Sequence, residues 1–82
     1  MMSYLARISI SGIDRMGILH DITNEVSNKF GINLRKISIE AHDEIFEGYI
    51  DLYVHDTADL DNIMEAFTKI NGLEKVTRVD IE

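Results

Sequence analysis

The sequence predicts an α+β fold of the ferredoxin-like type, a βαββαβ sandwich in which two helices cover one face of a four-stranded antiparallel sheet. Four segments alternate apolar and polar residues with the period of a strand, and two others repeat apolar residues at helical spacing. Their order is strand, helix, strand, strand, helix, strand. A chain of 82 residues suits one domain, so we expect a single domain over residues 1–82.

The first strand and helix are predicted over residues 4–11 and 16–30. The strand points three apolar side chains to one side, namely Ala6, Ile8 and Ile10. The helix carries an apolar stripe made of Leu19, Ile22, Val26 and Phe30. Asp14 is expected to cap the start of this helix, and Gly31 suits the left-handed position that ends one.

Two further strands are predicted over residues 33–41 and 46–55, separated by the polar segment 42–44. Their expected inward residues are Ile37, Ile39 and Ala41 in one strand and Phe46, Ile50, Leu52 and Val54 in the other. The short separation predicts a hairpin, and Gly48 indicates a bend or bulge in its second strand.

The second helix is expected to begin at a cap formed by Thr57 or Asp59 and to stop at Asn71-Gly72. Its apolar stripe is Leu60, Ile63, Met64, Phe67 and Ile70. A last strand is predicted over residues 76–81. This arrangement leaves one sheet face open, with the side chains of Arg7, Ser9, Lys36, Ser38, Tyr49, Asp51 and Tyr53 on it.

The formal net charge of −7 argues against broad attraction to nucleic acid or to an anionic membrane surface. The absence of cysteine excludes disulfides and thiolate metal sites and fits a reducing cytoplasm. No apolar run approaches the roughly 20 residues that span a bilayer, and no signal-peptide pattern precedes the first strand. We predict no metal and no cofactor, because His20, His42 and His55 lie on different predicted elements.

Two other functions of this fold fit the residues less well. An RNA-recognition sheet needs a basic residue and stacking aromatics in its third strand, and here only Gly48 and Tyr49 match the pattern, with Glu47 and Asp51 at key positions. The residues favour Tyr49 and Tyr53 as cover for the sheet or for an interface. An acyl-phosphate hydrolase would use an arginine in the first loop, but GIDRMG provides too short a phosphate cradle, so no catalytic residue is predicted.

The first loop, GIDRMGIL at residues 12–19, has the glycine spacing of a phosphate-binding motif but lacks its lysine and its serine or threonine. A strand-to-helix turn still presents backbone N–H groups, and Gly17 permits close approach of a ligand. Asp14 and Arg15 offer one charge of each sign, which suits a zwitterion such as an amino acid. The alternative is that Asp14 only caps the helix and Gly17 only permits the turn.

The motifs GIDRMGILHDIT, GINLRKISIE and GLEKVTRV resemble an ACT domain, a regulatory module that senses small molecules. The matching positions are Asp14, Arg15, Gly17, Leu19, Gly31, Ile32, Asn33 and Leu34. Met16 stands where many members have proline. With Phe46-Glu47-Gly48 and the segment 70–79, the chain is most similar to the C-terminal ACT domain of RelA/SpoT-type proteins, which synthesise and hydrolyse (p)ppGpp in the bacterial stringent response.

The resemblance implies a domain without catalysis of its own, from the C-terminal end of a longer GTP pyrophosphokinase or (p)ppGpp hydrolase. Met1-Met2, placed directly before the first strand, fits such a fragment. It also implies a homodimer with an amino-acid site between the copies, together with contacts to the parent's other domains, the ribosome and tRNA. The implied ligand residues are Asp14, Arg15, Met16, Gly17, Ile18 and Leu19 from one copy and Asn33 and Leu34 from the other.

Two alternatives stay open. One is a free-standing homodimeric ACT protein that senses an amino acid and regulates another enzyme. The other is a module that docks on RNA or the ribosome through the open sheet face, using Arg7, Lys36, Tyr49 and Tyr53.

Overall fold

The computed structural model describes residues 3–80 and has the predicted order of elements. These are β1 (Tyr4–Ile13), α1 (Ile18–Asn24), β2 (Asn33–His42), β3 (Ile45–Val54), α2 (Thr57–Thr68) and β4 (Leu73–Val79). A π-helical segment, Glu25–Lys29, continues α1. All pairings are antiparallel, and the strand order is β2-β3-β1-β4. The predicted ferredoxin-like βαββαβ sandwich is therefore confirmed.

The core lies between the sheet and the helices, where alternate residues of the two central strands meet the apolar stripes of α1 and α2. Each fully buried aliphatic or aromatic side chain contributes about 1.5–3 kcal/mol relative to exposure. The buried apolar residues are Ala6, Ile8, Ile10, Ile18, Ile22, Val26, Phe46, Ile50, Leu52, Val54, Leu60, Ile63, Phe67, Ile70 and Leu73. The inward strand residues predicted for β1 and β3 are all among them.

The first helix departs from the prediction at its start. Its N-cap is Gly17, with φ 86°, and no side chain caps it, so the prediction of Asp14 as the cap was wrong. Asp14 is held away from the helix because its backbone N–H donates to the Glu44 carbonyl, 3.0 Å away. The helix therefore begins at Ile18, which is buried, whereas the predicted inward residue Leu19 is 48% exposed.

The same helix also ends differently from a regular one. The N–H of Phe30 donates to the carbonyl of Glu25, five residues earlier, at 3.1 Å. This wider turn rotates the end of the helix, so that Phe30 is only half-buried.

The hairpin is longer than predicted. His42 is still part of β2 and β3 already begins at Ile45, so only Asp43 and Glu44 turn, both with positive φ of 53° and 68°. Ala41 points to the helix side of the sheet but is exposed. His55 lies outside β3.

Two further boundaries differ. The N-cap of α2 is Asp56, whose carboxylate accepts from the N–H of Asp59 at 2.9 Å, rather than Thr57 or Asp59. Asp56 lies just before the first turn, where an N-cap side chain can accept from the N–H of Asp59. Thr57 is already the first residue of the helix. Strand β4 begins at Leu73 rather than at residue 76. The predicted last residue of that strand, Ile81, lies outside the described residues, as does Met1-Met2.

The predicted bulge at Gly48 was wrong. Gly48 pairs regularly with Ile10 on one side and Ile39 on the other. A Cβ atom there would lie 1.9 Å from the Ser38 carbonyl oxygen, so the glycine permits close approach of two strands. Within residues 3–80, no helix is long and apolar enough to cross a bilayer.

Candidate ligand loop and open sheet face

The first loop, residues 14–17, presents a mixed surface. Asp14 and Gly17 are exposed, and the Met16 side chain is 98% exposed. Leu19, on the first turn of α1, is half-exposed next to them, whereas Ile18 faces the core. The sequence-predicted loop residues are therefore neighbours, but Ile18 contributes packing under the loop rather than accessible surface.

The Arg15 guanidinium connects three parts of the chain. Its Nε donates to the Asn71 carbonyl at 2.7 Å, its Nη1 to the Met16 carbonyl at 3.1 Å, and its Nη2 to Asp21 Oδ2 at 2.6 Å. The first loop, α1 and the α2–β4 connection are thereby tied together. Three of the five guanidinium N–H groups are thereby used within the chain, which leaves a ligand carboxylate the other two, and the role of Arg15 in binding stays a prediction.

A groove of about 650 Å³ adjoins Arg15 and runs between the two helices. Side chains of both signs line it, among them Asp21, Glu25, Lys29 and Lys69. Glu25 and Lys29 also form an ion pair of 2.8 Å across one turn. The groove could not be predicted from the sequence, because it forms only where the two helices pack side by side.

Asn33 and Leu34 lie at the other end of the sheet from the first loop. Asn33 pairs with Tyr53, which pairs with Leu5, whereas the loop follows Ile13 at the far end of β1. Eight residues of strand separate Leu5 from Ile13, a distance of about 26 Å. The two halves of the predicted ligand site therefore cannot meet within one chain and need a second copy.

On the open sheet face, Asp51 is fully buried. Its carboxylate accepts hydrogen bonds from Arg7 Nε at 2.7 Å and Arg7 Nη2 at 2.9 Å, and Arg35 Nη1 lies 3.6 Å away. The bidentate geometry is the strong form of an arginine–carboxylate pair. Hydrogen bonds from Arg7 lower the pKa of Asp51, which burial alone would raise.

Arg35 reaches this cluster because of a bulge in β2. Leu34 pairs with Leu52 and Lys36 with Asp51, so Arg35 is the extra residue between them. Arg35 was not among the residues predicted for the open face, although the spacing of three between Leu34 and Ile37 indicates that strict alternation fails there.

Arg7 also covers Tyr49, with its guanidinium carbon 3.9 Å from the ring centroid, and Lys36 Nζ lies 5.4 Å from the same centroid. Three of the four residues predicted for RNA or partner contact thus form one cluster. The fourth, Tyr53, lies nearer the end of the face and is 37% exposed. Because Arg7 occupies one side of the Tyr49 ring, only the other side could stack on a base, and the RNA role stays a prediction.

Within residues 3–80, no three His, Asp or Glu side chains are grouped so that they could hold a metal ion.

The sequence profile of the ACT domain matches residues 1–78, and the chain belongs to the ACT domain family. Members of this family typically bind small ligands and pair. No curated protein sequence matches the chain.

Solved structures place the chain more closely. It is 33% identical to the crystal structure of the ACT domain from GTP pyrophosphokinase of Chlorobium tepidum, with a TM-score of 0.85, covering 95% of this chain and 100% of that one. The solution NMR structure of the same domain gives 33% identity and a TM-score of 0.84, covering 100% and 92%. This chain is thus a regulatory ACT domain that resembles the ACT domain of GTP pyrophosphokinase.

Two other structures show how the fold is used elsewhere. An ACT domain protein from Streptococcus pneumoniae is 26% identical with a TM-score of 0.71, covering 92% of this chain and 86% of that one. A homoserine dehydrogenase from Thiobacillus denitrificans is 16% identical with a TM-score of 0.78, covering 99% of this chain but 18% of that one. The latter shares the fold alone.

Proposed function

We propose that this chain is the regulatory domain of a bacterial stringent-response protein that synthesises or hydrolyses (p)ppGpp. It senses either the amino-acid status of the cell or the status of the ribosome and tRNA. It controls catalytic domains that lie outside this sequence. The observation that carries the proposal is the 33% identity to the GTP pyrophosphokinase ACT domain over nearly the full chain. Such control requires a ligand that binds two states of the parent with different affinity.

The first loop is the proposed sensing site. Asp14 carries an exposed negative charge, Met16 a fully accessible thioether, and Gly17 a backbone open to close approach. Arg15 places a positive charge beside them, although it is bonded within the chain. This pairing of charges suits an amino acid, with the second copy contributing Asn33 and Leu34 to complete the site.

A titration of the ¹⁵N-labelled chain with each of the twenty amino acids tests the sensing site by two-dimensional NMR. We expect shifts concentrated at residues 14–19 and around Asn33 for one or a few amino acids. Met16→Glu should abolish them without affecting the fold, because the side chain makes almost no contact. Ser27→Glu, on an exposed position of the π-helical segment, is the matched control. Silence for all twenty amino acids in a folded sample would exclude amino-acid sensing.

The regulatory role is tested in the parent protein. Rates of (p)ppGpp synthesis and hydrolysis are compared in wild type, in Met16→Glu and in a form that lacks residues 3–80. We expect the ratio of the two rates to change when the domain is removed or its ligand is lost. An unchanged ratio in every form would exclude control by this domain.

A free-standing amino-acid sensor is the second candidate. It is favoured by the Streptococcus pneumoniae ACT domain protein, of which this chain covers 86%. An open reading frame that continues upstream of Ser3 into a catalytic domain would decide against it.

A further inference from the structure

The first loop carries the most exposed large apolar side chain among the described residues. Met16 is 98% exposed, so its thioether sulfur is open to solvent. Met64, the other methionine within residues 3–80, is half-buried and packs against the core. Packing therefore accounts for Met64 but gives no account of Met16.

The sulfur of Met16 is also chemically distinctive in this chain. The sequence contains four methionines and no cysteine, so all of its sulfur is thioether sulfur. A peroxide converts a thioether to a sulfoxide, which is polar and chiral, and methionine sulfoxide reductases convert it back. Because the sulfur must meet the oxidant directly, exposure decides which methionine reacts first. Met16 meets this condition far better than Met64.

The Arg15 guanidinium lies directly against the backbone of Met16. Its Nη1 donates to the Met16 carbonyl at 3.1 Å, and the same nitrogen is 3.6 Å from the position that a Cβ on Gly17 would take. Its Nε and Nη2 donate to the Asn71 carbonyl and to Asp21. One N–H on Nη1 and one on Nη2 are therefore not used in the described part of the chain.

We propose that Met16 is a site of reversible oxidation, and that the sulfoxide formed there binds Arg15 and closes it to a ligand carboxylate. A thioether sulfur is only a weak hydrogen-bond acceptor, whereas a sulfoxide oxygen is a strong one. The Met16 side chain rotates about three bonds and makes almost no contacts, so no packing opposes its turning toward Arg15. The sulfoxide oxygen then accepts from the unused N–H of Nη1.

The oxidation is a two-electron transfer to a peroxide, of which hydrogen peroxide is the simplest. A lone pair of the Met16 sulfur attacks one peroxide oxygen, so that an S–O bond forms and the O–O bond breaks. The departing hydroxide takes the proton of the transferred oxygen and leaves as water. The sulfur is oxidised and the peroxide is reduced. A reductase reverses the change with two thiols, which become a disulfide while the sulfoxide oxygen leaves as water.

Oxidation at Met16 should leave the fold intact. The side chain contributes almost nothing to the core, and its backbone carbonyl keeps the hydrogen bond from Arg15. A sulfoxide at Met64 would instead place a polar oxygen against apolar neighbours, which is unfavourable. The chain can therefore be oxidised at Met16 and reduced again without unfolding.

This inference rests on the proposed function in one respect, since the carboxylate that competes for Arg15 is that of the sensed amino acid. The oxidation itself and the binding of the sulfoxide to Arg15 need no ligand. Both can be measured on the chain alone, before any amino acid is added.

Peroxide treatment of the folded chain, followed by trypsin digestion and mass spectrometry, measures the oxidation rate at each site. Trypsin cleaves after Arg15 and Lys29, so Met16 lies in the peptide 16–29, apart from the other methionines. We expect Met16 to react within about twofold of the rate of N-acetylmethionine amide and at least about tenfold faster than Met64. The chain unfolded in urea is the control, in which the two rates should be equal. Equal rates in the folded chain would overturn the inference.

The contact between the sulfoxide and Arg15 is read from the ¹⁵N–¹H resonances of the Arg15 guanidinium by NMR. We expect the Nη resonances to shift when the chain is oxidised and to return after treatment with methionine sulfoxide reductase. Met16→Leu, which has no sulfur at this position, should show no such shift after the same peroxide treatment. Unchanged Arg15 resonances in a folded chain that is fully oxidised at Met16 would overturn the contact.

A titration with the twenty amino acids, before and after oxidation, tests the closure of Arg15. We expect oxidation to weaken the binding at least about tenfold, since a hydrogen bond to a charged group is lost. Peroxide treatment of Met16→Leu should leave its affinity at the untreated value. Equal affinity of the oxidised and reduced wild-type chain would overturn the closure but leave the proposed sensing function standing. Absence of binding to the reduced chain would overturn the sensing function and the closure together, while the oxidation rates and the Arg15 shift decide the modification site separately.

Discussion

Arg7 donates two hydrogen bonds to Asp51, at 2.7 and 2.9 Å, and thereby holds a fully buried carboxylate on the sheet face that carries no helices. A buried carboxylate without a partner is unfavourable, because it has lost its water. The pair therefore explains how a charge can lie in the middle of this face. It also makes the open face sensitive to the loss of either partner of this pair.

Arg7→Met should lower Tm by roughly 10 °C, since it leaves the buried Asp51 with only the more distant Arg35. The measurement is thermal unfolding followed by circular dichroism. Arg78→Met, on exposed β4, removes the same charge and should change Tm by no more than about 2 °C. Equal effects of the two substitutions would show that Asp51 is solvated in solution.

The stability contributed by Asp51 should depend on pH. Its pKa is lowered in the folded chain by the hydrogen bonds of Arg7, so at acidic pH the unfolded chain binds more protons than the folded one. This contribution is present above the unfolded pKa of about 3.9 and is lost as pH falls through the lower folded value.

Urea unfolding of wild type and Asp51→Asn, from about pH 6 to about pH 3, tests the sign. The free-energy difference between the two proteins should shrink as pH falls. A difference that is constant or grows toward low pH would contradict the lowered pKa.

Arg15→Met should reduce the free energy of unfolding by about 1–2 kcal/mol, because hydrogen bonds to Asn71, Met16 and Asp21 are lost. Amide exchange should accelerate at residues 13–17 and 71–73 in particular. Lys29→Met is the control, since its exposed pair with Glu25 contributes only about 0.5 kcal/mol. An unchanged exchange rate at residue 71 would show that the hydrogen bond from Arg15 to the Asn71 carbonyl is not formed in solution.

Gly48→Ala should destabilise far more than Gly31→Ala. The new Cβ at position 48 would overlap the Ser38 carbonyl oxygen, and separating the strands costs about 3 kcal/mol. Gly31 has φ +62° but no atom within 4 Å of the added Cβ, so only backbone strain of about 1 kcal/mol is expected there. Urea unfolding of both variants measures the difference, and similar losses would contradict the close β2–β3 approach.

The alternation of apolar residues predicted the strands and the order of elements, because a half-buried sheet forces that period on the chain. It could not show which open-face residues are covered. Asp51 was expected on that face, but its burial depends on Arg7 from β1 and on the bulge at Arg35, both non-local effects. The local sequence pattern also could not predict that α1 begins only at Ile18. That start depends on the hydrogen bond from Asp14 to Glu44, which links segments that are distant in sequence.

For the candidate site, the loop residues were named from the sequence and the second copy from the resemblance to the ACT family, and both stay predictions. It did not predict that Arg15 is bonded within the chain, because its partners Asp21 and Asn71 come together only after both helices have packed. The groove beside Arg15 depends in the same way on the packing of two helices that are far apart in the chain.

The pairing of β1 with β4 determines how such a domain can be joined to other chains. Because Arg7 lies opposite Val79, the chain enters and leaves the domain at the same end of the sheet. A unit whose two ends lie together can be joined to an unrelated host with little disturbance on either side. The same fold covers 18% of the homoserine dehydrogenase chain, so it also occurs as one part of a longer protein.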